Sequence, residues 1–435
     1  MHQTSQPPVI DAPKTRGRGS SLFPMIGLQR VGAIASHPMF LGFCVALVQV
    51  LVAESISLIP DSDGTRKTLI EGYRRLYQWD SYWYGHLSEH GYPNYVPTHW
   101  GDMCYVGFFP GYSLAGWLVR SLTRLPTPDA MLLTAQLAAG AFWGYLFAFL
   151  RRWRVHAKLS WVVISCIALH PAAFFLVAAY SESLFLVGVL GFLYWLEESG
   201  PMARTMMLFH AAIMTTTRIV GLPLAAVPFL AAMAGHDRWF DQPIRFLFRN
   251  ATWSALAGIG GLAYFGYCEF FVGRWDLYMY AQSTGWGVRP DYLAIFRLSS
   301  YSLPSPRMLD HGFIDPNFIS AFSAPLTLML GAAMVMAERR VGGWRSRLGF
   351  YVCAGLMFYV AFAGLAGVGM KSMIRYSFCS HVLIALAAVH LAMSCREQVV
   401  SRRTWAAIVV GVMLLASAVI QIGFIRLFSQ GLWVA

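Results

Sequence analysis

PMFLGFCVALVQVLVAESISLI, residues 38–59, decides what kind of chain this is. Glu54 is its only charged side chain. A hydrocarbon core about 30 Å thick is crossed by about 20 consecutive apolar residues in a helix, so this stretch reads as a membrane span. Similar stretches recur along the chain at 129–150, 159–179, 182–196, 204–217, 221–235, 251–272, 318–337, 348–367, 375–395 and 404–424. Together they predict an all-α polytopic membrane protein of about eleven transmembrane helices.

Composition agrees. Apolar residues make up 57% of the 435 positions and charged residues 12%, against about 25% charged in ordinary soluble domains. The formal net charge of +12 does not point to nucleic acid, because the basic residues sit in short loops between apolar spans, where they act as topology signals. With the N-terminus inside, the clusters at 14–30, 151–158, 204–249, 339–347 and 396–403 all fall on the cytoplasmic side. Residues 1–37, rich in Pro, Ser, Thr, Gly and Arg and without an apolar run, read as a disordered basic cytoplasmic tail, not a signal peptide. Six of the seven cysteines lie inside apolar segments and only Cys104 in a loop, which gives no disulfide framework and no CxxC metal site.

Two outer loops are long, 60–128 and 273–317, and loops of that length in a compact domain usually carry function. Segment 106–123 is apolar enough to cross, yet a crossing there would turn the Arg151 cluster outward. It is therefore expected to be an interfacial or re-entrant helix starting at the turn Phe108 to Gly111. Residues 428–435 form a short outer tail.

The 21 acidic residues are few enough for their positions to inform. Glu54, Glu182 and Glu269 fall within or at the ends of apolar spans, at the same outer level as Arg218, Lys371 and Arg375. Ionisable groups at membrane depth are costly and usually face a cavity or a partner, so their convergence predicts one outward-facing polar site. The simpler account is that each marks a helix end and snorkels to the interface. The first loop reads QWDSYWYGHLSEHGYPNYVPTHW over 78–100. In it Asp80 is the acid best placed for chemistry, since Trp79, Trp83 and Tyr84 would partly strip it of water, which suits a group asked to accept a proton. Its alternative role is the N-cap of a helix beginning at Ser81. His86, Glu89 and His90 form H-x-x-E-H, an inverted zincin pattern with both imidazoles on one helical face but no identifiable third ligand. An amphipathic juxtamembrane helix explains the same residues. Further on, HPAAFFLVAAYSESLF, 170–185, pins Tyr180 and Glu182 near the membrane surface, Glu182 as a second acid or as a helix cap.

QWDSYWYGHLSEHGY, VGFFPGYSL, HPAAFFLVAAYSESLF, TTTRIVGL, GRWDLYMYAQSTGWG and MKSMIRYSF occur in this order over roughly 79–388. In this the chain resembles the PIG-V-like mannosyltransferases, the family of the glycosylphosphatidylinositol second-mannose transferase and its bacterial relatives within the glycosyltransferase-C (GT-C) superfamily. His170 stands where Asn commonly precedes the Pro. The resemblance implies a GT-C-type catalytic domain over 38–427 that transfers a sugar, typically mannose, from a polyprenyl-phosphate donor to a lipid-linked or other acceptor on the extracytoplasmic or luminal face. The membrane would be the bacterial plasma membrane, or the endoplasmic reticulum in a eukaryote. Asp80 matches the first-loop catalytic acid, Glu182 the polar position after the third span, and Arg218 and Arg375 basic positions near the donor phosphate; Lys371, Trp79 and Tyr180 complete the expected substrate-binding set. No cofactor is expected, and no Asp-x-Asp motif stands in the first loop to hold a divalent metal. Outside this class the leading alternative is a lipid-linked-sugar flippase or transporter, which also places charges within helices, and the third is a membrane zinc metallopeptidase.

Overall fold

The computed structural model of the protein describes residues 36–60, 64, 66–99, 105–235, 243–301, 309–310, 313–394 and 403–434. The tail up to residue 35, Cys104, Arg238, Cys395, Arg396 and Arg402, all used in the sequence expectations, lie outside the described residues. The structure is 78% helical, and the two strands among the described residues, Leu309–Asp310 (β1) and Phe313–Ile314 (β2), are a two-residue antiparallel pair. The chain is thus all-α.

Helix ends follow local chemistry. α1 (Pro38–Ser57) starts at His37, whose ring accepts the Met39 N–H at 3.3 Å, with Pro38 in the first turn where a missing N–H does no harm. α2 (Leu69–Arg74) opens on a reciprocal capping box between Thr68 and Glu71. α3 (Asp80–His90) and α4 (Pro110–Thr123) follow in the first long loop. α5 (Thr127–Arg152) carries Asp129 in its first turn and Arg151 and Arg152 in its last, each opposite in sign to the helix dipole there. Then come α6 (Ala157–Ala168), α7 (Glu182–Leu196), α8 (Pro201–Thr217), α9 (Val227–Gly235), α10 (Pro243–Ala257), α11 (Ile259–Tyr267) and α12 (Leu277–Gly285). α13 (Pro316–Val341) is capped by Asp315, which accepts the Asn317 N–H at 2.8 Å. α14 (Leu348–Leu365), α15 (Met373–Ser394) and α16 (Arg403–Ser429) complete the bundle.

Among the described residues six helical stretches are long and apolar enough to cross a membrane: Pro38–Ser57, Thr127–Arg152, Pro316–Val341, Trp344–Val368, Met373–Ser394 and Val409–Ser429. A seventh arises if Phe246–Ala257 and Ile259–Val272, bent by 57°, count as one span. The chain is therefore a multi-pass membrane protein. Helices occupy all eleven predicted segments, but several are short or broken. Segment 106–123 holds the 14-residue α4, about 21 Å at 1.5 Å per residue and less than a hydrocarbon core.

The expected continuous span at 159–179 is broken: α6 ends at Ala168 and the chain continues as turns and a 3-10 piece, Ala173–Leu176, to the start of α7. Irregular backbone is tolerated at membrane depth only when protein satisfies its polar groups. Here α16 does so. The Gln421 amide donates to the carbonyls of Ala168 (2.9 Å) and His170 (2.8 Å), and the Ser417 hydroxyl to that of Leu169 (2.7 Å). The break delivers Tyr180 and Glu182 to the end of the bundle where Asp80 starts its helix.

Glycines set the closest helix contacts. A Cβ on Gly42 of α1 would land on the backbone of Gly140 and Gly144 in α5, and one on Gly188 of α7 would meet Met214 of α8 at 2.7 Å. Gly140 and Gly144 are a small-xxx-small pair that lets two backbones touch.

Candidate active site

The two acids start helices at one end of the bundle. Asp80 is the first residue of α3, and Glu182 the first of α7, so both carboxylates stand at the positive ends of helix dipoles. The N-cap positions belong to Trp79 and Ser181, and neither helix has a side-chain cap bond. Both acids instead meet arginines. Asp80 Oδ2 accepts from Arg375 Nη1 at 2.8 Å; Arg375 Nε lies 3.4 Å from Glu182 Oε1; the same oxygen accepts from Arg218 Nη1 at 2.8 Å. The result is an alternating row, Asp80, Arg375, Glu182, Arg218, balanced in charge. It is deeply buried: Glu182 is 1% exposed and Arg375 5%. Such burial is tolerable because each charge is paired and each guanidinium also packs on aromatic faces, Arg375 on Tyr180 (5.1 Å) and Arg218 on Tyr376 (4.8 Å).

Trp79 feeds Asp80 into the row at φ 56°, ψ −116°. A non-glycine residue in the left-handed half of the map stores roughly 1–3 kcal/mol and persists only when its surroundings hold it. Trp79 is held by its indole N–H, which donates to the Leu432 carbonyl at 3.2 Å, and by edge contact with Trp433 at 5.2 Å. Tyr84, one turn into α3, donates to Ser181 Oγ at 2.9 Å and joins the two acid-bearing segments; burial pushes its phenol up, so it serves as a neutral donor.

The row lines a cavity of about 860 Å³. Its polar walls carry Asp80, Glu182, Asp276, Arg218, Arg274, Arg289, Lys371 and Arg375, whereas Val288, Met357, Val360, Ala361, Leu365 and Val368 are apolar. Two polar atoms on cavity residues, Tyr180 Oη and Glu182 Oε2, are buried with no hydrogen-bond partner among the described residues. Buried polar atoms are seldom left so, and a hydroxylated ligand would satisfy both.

Of the residues expected to converge, Asp80, Tyr180, Glu182, Arg218, Lys371 and Arg375 line this cavity; Trp79, Glu54 and Glu269 do not. Trp79 braces the 430–434 segment, and Trp433 takes the place on the wall. Glu269 accepts the Trp275 N–H at 2.9 Å and closes the turn after Gly273. The H-x-x-E-H residues have local partners: His86 stacks on Tyr105 (3.7 Å) and His90 (4.4 Å), and Glu89 accepts from Thr127 and lies 3.6 Å from Arg120. Among the described residues no three His, Cys, Asp or Glu side chains gather as metal ligands. Sequence reasoning missed Arg274, Asp276, Trp286 and Arg289, which the second long loop brings to the wall; the available signals were that loop's length and its GRWDLYMYAQSTGWG run.

No protein-family model matches the chain, and no curated protein matches it.

Proposed function

We propose that the chain is a GT-C-type membrane glycosyltransferase of about eleven spans, moving a sugar, mannose by its resemblance, from a polyprenyl-phosphate donor to an extracytoplasmic lipid-linked or glycan acceptor with inversion. The observation that carries this is the buried row Asp80, Arg375, Glu182, Arg218 on the wall of a cavity lined by both charged and apolar side chains. A sugar phosphate on a polyprenyl chain has that amphipathic character. Asp80 Oδ2 is held by Arg375, and Oδ1 makes no hydrogen bond among the described residues, which leaves it for an acceptor hydroxyl.

In the step, the acceptor oxygen attacks the anomeric carbon while its proton passes to Asp80. The anomeric carbon–oxygen bond breaks on the opposite face, and its electron pair leaves with the phosphate. Phosphate is a stable anion, so the site needs cations near the leaving group and has little need of a general acid. Glu182 and Arg375 fix the base in position, and Tyr180 offers a hydroxyl to the sugar.

Purified protein given polyprenyl-phosphate-mannose and a panel of lipid acceptors is expected to release polyprenyl phosphate and form an inverted glycoside. Movement of the intact donor across a vesicle bilayer, with no new glycosidic bond, would instead establish the flippase.

A further inference from the structure

Five basic side chains line the cavity, and three are neutralised within it: Arg375 by Asp80 and Glu182, Arg218 by Glu182, and Arg274 by Asp276 at 2.9 Å. Lys371 and Arg289 have no ion-pair or hydrogen-bond partner among the described residues, and both are exposed to the cavity. Two positive charges are therefore uncommitted. Lys371 stands in the turn that opens α15, where Gly369, Met370 and Ser372 all have positive φ (71°, 58° and 66°). Two of these are not glycine, and the conformation is kept by Met370, 3% exposed among Phe358, Phe362 and Met373. Ser372 is 7% exposed on the cavity wall, and its hydroxyl has no partner among the described residues. The backbone N–H groups of Lys371 and Ser372 likewise donate to no carbonyl among the described residues. Free N–H groups in alternating left-handed backbone at the start of a 22-residue helix are an anion-binding arrangement.

Resting on the glycosyltransferase reading, we propose that the donor phosphate is held by the Lys371–Ser372 turn together with Arg289 of the second long loop, while Arg375 and Arg218 hold the carboxylates. When the glycosidic bond breaks, the phosphate passes from a singly charged diester to a polyprenyl monophosphate that can carry two charges, matching the two uncommitted cations. Arginines already paired to carboxylates would gain less from that added charge.

The test uses the full chain in nanodiscs, with polyprenyl phosphate binding and transfer measured separately. Lys371→Met and Arg289→Met are each expected to weaken polyprenyl phosphate binding and raise donor KM roughly tenfold or more, the size of a lost charge-assisted hydrogen bond. Lys371→Arg should recover most of the binding. Arg375→Lys should lower kcat and leave polyprenyl phosphate binding within about threefold of wild type. Inorganic phosphate should compete weakly and phosphatidylglycerol not at all; equal competition by phosphatidylglycerol would replace the cradle with a general lipid site. Wild-type binding in both Met variants, together with lost binding in Arg375→Lys, overturns the proposal, as does a wild type that binds no polyprenyl phosphate. A wild type that binds it through Lys371 and Arg289 but forms no glycoside leaves the cradle standing and removes the transferase.

Discussion

Asp80 combines a strained entry at Trp79, a helix N-terminus and the buried guanidinium of Arg375, 295 positions away. Asp80→Asn separates its roles. The amide oxygen can still accept from Arg375, but the side chain cannot take a proton. The variant is expected to fold and bind polyprenyl phosphate while turnover falls by at least the roughly 10²-fold typical of a general base. Steady-state transfer beside a thermal melt in detergent checks this, and near-normal turnover would move the base to Glu182. Asp80 was legible because an acid between tryptophans in a long outer loop is chemically conspicuous. Arg289 was not, because nothing local marks an exposed arginine as facing a cavity made by distant helices.

Helix packing turns on backbone contact. α1 and α5 meet at Gly42, Gly140 and Gly144, with Phe43 and Met39 of α1 lying over the two α5 glycines. Gly42→Ala must push the helices apart, since the obstruction is backbone and cannot rotate away. A loss of about 1–3 kcal/mol is expected, the usual cost of overpacking. Gly331→Ala in α13, where a Cβ meets nothing within 4 Å, should be neutral or slightly stabilising. Equal melting temperatures for the two variants would show that the α1–α5 contact is looser than described. The breaks at 169–181 and at Gly258 were unreadable in the sequence: an apolar run has the same hydropathy whether its backbone is helical or unwound. What permits unwinding at 169–181 is Gln421 and Ser417, some 250 positions away.

Across the molecule the charges sort to two ends. At one end Arg152 pairs with Glu197 and Glu198, Arg347 holds Glu338 and His390, and His390 packs on Trp153. Arg151, Arg154, Arg339, Arg340 and Arg345 stand exposed nearby in sequence. At the other, Arg74 makes a two-point contact with Asp129, Arg75 donates to the Ser429 carbonyl, and the cavity opens among the acids. A basic end of this kind is expected on the cytoplasmic side. In a cysteine-free background, cysteines at Asn94 and Thr284, both exposed, should react with an impermeant maleimide from outside intact cells, and one at Arg151 only after permeabilisation. Outside labelling at Arg151 would invert the arrangement.

By itself the sequence determined the solvent of this protein, its helical class and the rough position of each apolar segment, because membrane insertion reads length and hydropathy, which are local sums. It also singled out Glu182, Arg218, Lys371 and Arg375, since charge among apolar residues is costly wherever it lies, and Asp80 by the aromatic residues around it in the first long loop. Only the tertiary structure decided which charges pair. Glu54 and Glu269 look like Glu182 in sequence, yet Glu182 alone of the three meets Arg218 and Arg375, because ion pairing falls off within a few ångströms and those distances are set by helices far apart in the chain. Among the described residues the same geometry leaves Lys371 and Arg289 without carboxylates, and on that difference between paired and unpaired cations rests the proposed split between positioning a base and holding a phosphate.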